Sequence, residues 1–139
     1  SAGGEVELAA KLLGRPFEAR GVVVAGDKRG RLLGFPTANV EVPTRVCLPA
    51  DGVYAGWYER PDGIAHPCAI NLGRRPTFYE HADHSLLEAH LIDFDGDLYW
   101  ERARIRFTNF LRSERKFAGI DALVAQLKLD IEHARQLLA

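Results

Sequence analysis

The sequence has little that would mark it for a membrane, an extracellular setting or a polyanion. Its 18 Lys and Arg are offset by 19 Asp and Glu, a net charge of −1, which disfavours binding to nucleic acid through bulk charge. The two cysteines, Cys47 and Cys68, form no Cys-x-x-Cys pair, so no disulfide framework is expected and a reduced, cytoplasmic setting is the simplest reading. No apolar run approaches the roughly 20 residues that span a bilayer. The first ten residues, SAGGEVELAA, lack the basic and apolar regions of a signal peptide. Internal repeats, low-complexity tracts and linkers are also missing, so the 139 residues read as one domain, 1–139, of a size that supports a single core without staples.

What is present is a globular composition, 47% hydrophobic and 27% charged. EVELAAKLLG fits a short helix with Leu8, Leu12 and Leu13 on one side and Gly14 ending it. From Phe17 to Phe107 the chain reads as strands: FEARGVVVAG, VYAGWYER, IAHPCAINLG, LLEAHLID and DLYWERARIRF are rich in β-branched or aromatic residues. Pro61-Asp62-Gly63 and Asp93 to Asp97 stand between them as turn signals. From Ile120 the period becomes helical, with Leu123, Val124, Leu127, Ile131, Ala134 and Leu138 on the same stripe as Ile120. Short strands followed by one amphipathic helix predict an antiparallel barrel or sandwich with the helix packed on it.

Three segments carry residue types suited to chemistry. In GDKRGRLLGFPTAN, Gly26, Gly30 and Gly34 recur four apart with Lys28, Arg29 and Arg31 among them. Glycines let backbone N–H groups turn toward an anion and the basic side chains add charge. The segment is neither a P-loop nor a dinucleotide fingerprint, and a solvated basic loop has the same composition. Pro36 restrains Phe35 and delivers the chain extended into Thr37. Thr37 and Asn39 then share a face, where two neutral oxygens beside a phosphate would suit Mg²⁺; the same residues also cap local backbone in ordinary turns. Alternation in LLEAHLIDF places Leu87, Ala89 and Leu91 on one face and Glu88, His90 and Ile92 on the other. Glu88 is thus a candidate general base or a solvent-facing strand glutamate.

The third segment, NFLRSERKF, is read as a connection between the last strand and the helix, with Arg112, Glu114, Arg115 and Lys116 framed by Phe110 and Phe117, a composition that can clamp a planar aromatic ligand. NLGRRPTFYEHADH is read as a loop contributing Asn71, Arg75, Pro76 and Phe78. Its His81, Asp83 and His84 lack further ligands at zinc spacing.

Taken in order, GDKRGRLLGFPTAN, GVYAGW, NLGRRPTF, LEAHLIDFDGDLYW, FLRSERKF and a terminal helix resemble riboflavin kinase, in particular the C-terminal kinase module of bacterial bifunctional FAD synthetases. The resemblance runs from about Gly14 to the end. It implies a mainly β fold, a six-stranded antiparallel Greek-key barrel with a packed C-terminal helix and a short N-terminal one. It also implies phosphorylation of riboflavin to FMN by ATP, with riboflavin/FMN and ATP/ADP as ligands. By the same resemblance Thr37 and Asn39 are expected to hold Mg²⁺ and phosphate, and Glu88 to be the catalytic base. Gly26, Lys28, Gly30, Arg31, Gly34 and Pro36 are expected in the ATP-phosphate loop, and Arg112, Glu114 and Phe117 at the flavin. The family's N-terminal adenylyltransferase module carries a His-x-Gly-His motif that is not present here. Residues 1–14 are therefore expected to be its connector, and no FAD synthesis is expected from this chain. Leu72 and Arg74 depart from the small or polar residues expected around Gly73.

Two alternatives remain. One is a flavin-binding module without catalysis. The other is a small barrel for single-stranded nucleic acid, with Trp57, Tyr58, Tyr99 and Trp100 as stacking platforms and Arg102, Arg104 and Arg106 along one strand face.

Overall fold

A computed structural model of the chain describes residues 17–26, 29–43, 48–75 and 84–139. Its elements are β1 (Phe17–Val24), a single-turn helix α1 (Arg29–Leu32), β2 (Ala38–Glu41), β3 (Gly52–Glu59), β4 (Ala65–Arg75), β5 (His84–Leu91), β6 (Arg102–Arg112) and α2 (Ile120–Leu138). The expected N-terminal helix, Lys28, Cys47 and the His81 and Asp83 positions lie outside the described residues.

The six strands close into a barrel in the order β1-β2-β5-β4-β3-β6, and every pairing is antiparallel. β3, β4 and β5 form a meander, with β6 returning beside β3 and β2 beside β5, so the expected Greek-key barrel is the observed one. Inward positions follow the period of two. Ala19 and Val23, Ala38 and Val40, Leu87, Ala89 and Leu91, and Ala103, Ile105 and Phe107 are all buried. At the centre Tyr54 meets Phe107 and Phe110 edge to face, with ring centroids 5.1 and 5.3 Å apart, a geometry that adds to simple area burial.

α2 covers part of the outer surface. Ile131, Ala134 and Leu138 pack on Ala55, Ala69, Ile92 and Leu111, which explains why Ile92, on the face opposite Leu87 and Leu91, is buried as well. Ile120 departs from the expected stripe and is 65% exposed. Asp130, a charge within the buried face, is matched by Arg112. No helix among the described residues is long and apolar enough to cross a membrane.

The last strand differs most from its expected boundaries, beginning at Arg102 rather than Asp97 and running on to Arg112. Asp97 Oδ1 accepts from Tyr99 N, Glu101 N bonds back to Leu98 O, and Trp100 adopts a left-handed φ of 70°. These turn contacts occupy Tyr99 N, Glu101 N and Leu98 O; Val23 of β1 still donates to Glu101 O and accepts from Trp100 N, and the paired ladder with β1 starts at Val22↔Arg102. The aromatic and apolar residues of DLYW line a loop instead. At the other end, Asn109 to Arg112 belong to the strand and not to the connection. Asn71 likewise lies in β4 rather than a loop, and α1 interrupts what reads as an unstructured glycine-rich segment.

Candidate active site

The site is built on β2 and β5. Their register pairs Ala38↔Ala89 and Asn39↔Glu88, while the next ladder pairs Glu88↔Asn71 on β4. Asn39, Glu88 and Asn71 therefore form one row across three strands on the barrel's outer face, spaced as directly opposed residues are, roughly 5 Å apart at Cβ. Two neutral amides flank a carboxylate. Thr37 completes the group: its Oγ1 donates to Glu88 Oε2 at 3.2 Å. Pro36 ends the turn, β2 starts at Ala38, and the period of two gives Thr37 and Asn39 the same outward face, as expected.

Two clefts meet here. One, of about 730 Å³, opens on the barrel-interior side and is lined by Val23, Ala38, Ala89 and Leu91, by Arg31, Pro36 and Thr37, and by the Phe94 to Tyr99 loop. The other, of about 350 Å³, lies between the outer face and α2. Gly30, Phe35 and Thr37, then Asn71, Glu88, His90 and Arg112, and Leu123, Leu127 and Ile131 line it. Thr37 belongs to both. The small side chains of the Ala38↔Ala89 pair leave the first cleft its depth.

Two glycines of the 26–34 segment are explained by close approach. A Cβ on Gly26 would stand 2.0 Å from Asn39 Nδ2, and one on Gly30 would stand 2.4 Å from Phe35 O. Both are far inside contact distance, so Gly26 makes room for the Asn39 amide and Gly30 for the Phe35 carbonyl. Gly34 takes a φ of 88° in the turn after α1. Phe35 N closes that turn on Gly30 O at 2.6 Å. Arg31 is exposed at the rim of the larger cleft.

Of the residues expected at a flavin, Arg112 lines the smaller cleft and is heavily engaged. Its Nε and Nη2 hold Asp130 of α2 at 3.0 and 2.8 Å, Gln126 donates to the same carboxylate at 2.9 Å, and its guanidinium stacks over Phe117 at 5.6 Å. Arg115 covers the same ring at 4.9 Å. Glu114 lies against β4, where a Cβ on Gly73 would be 2.7 Å from its Oε1. Partial burial, assisted by nearby Asp51, holds the Glu114 carboxyl above its ordinary value against the opposing pull of Arg112. Phe117 and Glu114 thus flank the cleft through neighbours, while Arg112 borders it.

Sequence reasoning missed the contribution of α2 to the second cleft, the Asp95 to Tyr99 wall of the first, and His90, whose Nδ1–H donates to Pro36 O at 2.8 Å. The buried flanks of Asn71, Ile70 and Leu72, are a local signal that it faces outward; its partnership with Glu88 is a matter of register. The nucleic-acid alternative loses two of its supports. Tyr58 is fully buried and its hydroxyl donates to Glu101 Oε1 at 2.8 Å, so its ring is no stacking platform. Arg104 is turned to Glu18 and Glu59. Among the described residues no cluster of three or more His, Cys, Asp or Glu is arranged to hold a metal ion.

Comparison with known proteins agrees with the fold. The chain is 42% identical over 132 residues to the bifunctional riboflavin kinase/FMN adenylyltransferase of Bacillus subtilis (strain 168), covering 94% of this chain and 42% of that protein. It spans about two fifths of the length of the curated relatives it matches. The riboflavin kinase of Trypanosoma brucei superimposes with a TM-score of 0.63 at 25% identity, over 87% of this chain and 78% of that one. A Streptococcus pneumoniae protein described as a macrolide-efflux protein superimposes with a TM-score of 0.87 at 38% identity, over 95% and 42%. The family model for riboflavin kinase matches residues 13–138, and with these relatives it establishes that the chain belongs to the riboflavin kinase family.

Proposed function

We propose that the chain transfers the γ-phosphoryl group of ATP to the ribityl 5′-hydroxyl of riboflavin, giving FMN and ADP. The observation that carries this reading is the Thr37–Glu88 contact at the junction of two clefts. A two-substrate transfer needs its reactants on either side of one small group of polar atoms, and family membership supplies their identity.

In this reading ATP occupies the larger cleft, with its phosphates toward Arg31, Thr37 and the backbone of residues 29–34. The flavin occupies the smaller, more apolar cleft under α2. Glu88 takes the proton of the attacking hydroxyl while that oxygen bonds to the γ-phosphorus and the bond to the β–γ bridging oxygen breaks, releasing ADP. Phosphoryl transfer needs positioning and charge neutralisation more than covalent help. Thr37 and Asn39 offer hard, neutral oxygens on one face, which fits a Mg²⁺ ion that keeps phosphate and water in its remaining positions. That ion, when bound, neutralises charge on the phosphates. Asn71 and Asn39 orient the row without adding negative charge beside Glu88.

An adenylyltransferase module is the proposed partner, on the strength of the relatives' names and length, with residues 1–14 as the connection. Without a His-x-Gly-His motif this chain is proposed to stop at FMN. A cytoplasmic setting goes with an ATP-dependent reaction. The test is chromatography after incubation with riboflavin, ATP and Mg²⁺. FMN that appears with metal and disappears with EDTA supports the reading; riboflavin left unchanged, or FAD as a product, counts against it.

A further inference from the structure

We infer that His90 is a positioning residue, a side-chain extension of the β2–β5 ladder that clamps the Phe35-Pro36 turn onto β5 and so holds Thr37 beside Glu88. The ladder itself has only the pairs Ala38↔Ala89, Asn39↔Glu88 and Val40↔Leu87. Pro36 lies beyond its end and has no N–H of its own to donate. His90 supplies the missing rung, with Nδ1 2.8 Å from Pro36 O and its ring edge-on to Phe35 at 6.0 Å and 71°. Glu88, two residues earlier on the same outer face, takes the next residue through the Thr37 hydroxyl at 3.2 Å. Consecutive residues 35, 36 and 37 are thus each held by a side chain of β5.

This contact dictates a tautomer of the neutral ring. A carbonyl oxygen only accepts, so the imidazole must carry hydrogen on Nδ1. The clamp therefore selects the Nδ1–H tautomer over the Nε2–H form that predominates in free histidine, and which nitrogen is protonated follows from the bond it makes. A histidine that merely filled space would show no such selection. For its kinetic consequence alone, the inference rests on the proposed kinase reading.

The experiment begins with the unaltered 139-residue chain, reading imidazole ¹⁵N shifts and couplings at pH 8. The expected result is His90 in the Nδ1–H form. His90→Leu then shifts the Thr37 methyl resonance and lowers FMN turnover about tenfold, less than the roughly 10²-fold that a 1 Å misplacement of a reacting group can cause. His90→Asn restores most of both, since its Nδ2 stands where Nδ1 stood; His90→Gln, whose amide reaches the Nε2 position, does not. An Nε2–H tautomer in the unaltered chain overturns the clamp, as does a His90→Leu variant with an unmoved Thr37 methyl. Should the chain form no FMN at all, the kinase reading fails while the tautomer and the Thr37 resonance still decide the clamp.

Discussion

Arg112 and Asp130 join the last strand to the C-terminal helix through a forked ion pair, Nε and Nη2 against both carboxylate oxygens at 2.8 to 3.1 Å. The Asp130 side chain is 5% exposed and that of Arg112 18%, so water screens the pair poorly. Removing one partner of such a pair leaves an uncompensated buried charge, a loss of about 3–5 kcal/mol. Asp130→Ala is accordingly expected to lower the urea midpoint strongly. Arg135→Ala, which removes an exposed contact with Asp93, is expected to leave the midpoint close to that of the parent, because exposed pairs contribute little. Similar midpoints for the two variants would mean that the fork does not anchor α2.

Asn39 depends on the absence of a side chain at residue 26. Gly26→Ala would place a methyl 2.0 Å from Asn39 Nδ2, and the side chain must swing away from the Glu88 row. Since a misplacement of about 1 Å can reduce rate by roughly 10², Gly26→Ala is expected to lose turnover on that scale and to need more Mg²⁺ for half-maximal rate. Its melting temperature changes little, because residue 26 lies outside β1. A Mg²⁺ titration of FMN formation checks this; an unshifted metal requirement would separate Asn39 from the phosphate site.

Much of the barrel was legible because inward and outward residues alternate locally: Leu87, Ala89 and Leu91 announce their face without reference to any partner. The terminal helix was legible for the same reason at a period of 3.6. The start of β6 was not, since Leu98, Tyr99 and Trp100 have strand-forming side chains, and the Asp97 and Glu101 turn contacts hold them in a turn from which Trp100 N still donates to Val23 O of β1. Local turn hydrogen bonding overrode strand propensity there. At the site, the shared face of Thr37 and Asn39 was a local inference. The Asn39–Glu88–Asn71 row required the register of three strands, which no single segment encodes. Asp130 reads as a break in the apolar stripe until Arg112, eighteen residues earlier, is brought beneath it.

Glu114 offers a test through pH. Its carboxyl is raised above the ordinary 4.5, with burial the largest cause and Asp51 next. A raised pKa means that the folded chain binds this proton more tightly than the unfolded one. The group therefore favours folding below the ordinary value and opposes it once pH has risen past the raised value. Glu114→Gln removes that opposition. The variant is expected to be more stable than the parent at pH 7, with the gap closing toward pH 4, as thermal melts at both values would show. A variant less stable at pH 7 would point instead to a favourable contact of the carboxylate with its neighbours.

Glu88 is the residue on which the proposed chemistry turns. It stands between Asn39 and Asn71 in register, accepts from Thr37, and lines the cleft assigned to the flavin. Glu88→Gln keeps an oxygen for Thr37 and nearly the same volume, yet cannot take a proton. General-base help is typically worth about 10²–10⁴ in rate, roughly 3–5 kcal/mol of barrier. Turnover of Glu88→Gln is expected to fall within that range, while quenching of riboflavin fluorescence still reports binding. Loss confined to kcat would assign proton acceptance to Glu88. Loss of riboflavin binding with little change in kcat would make it a substrate-holding residue, and the proton would have to leave by another path, with water in the larger cleft as the remaining acceptor.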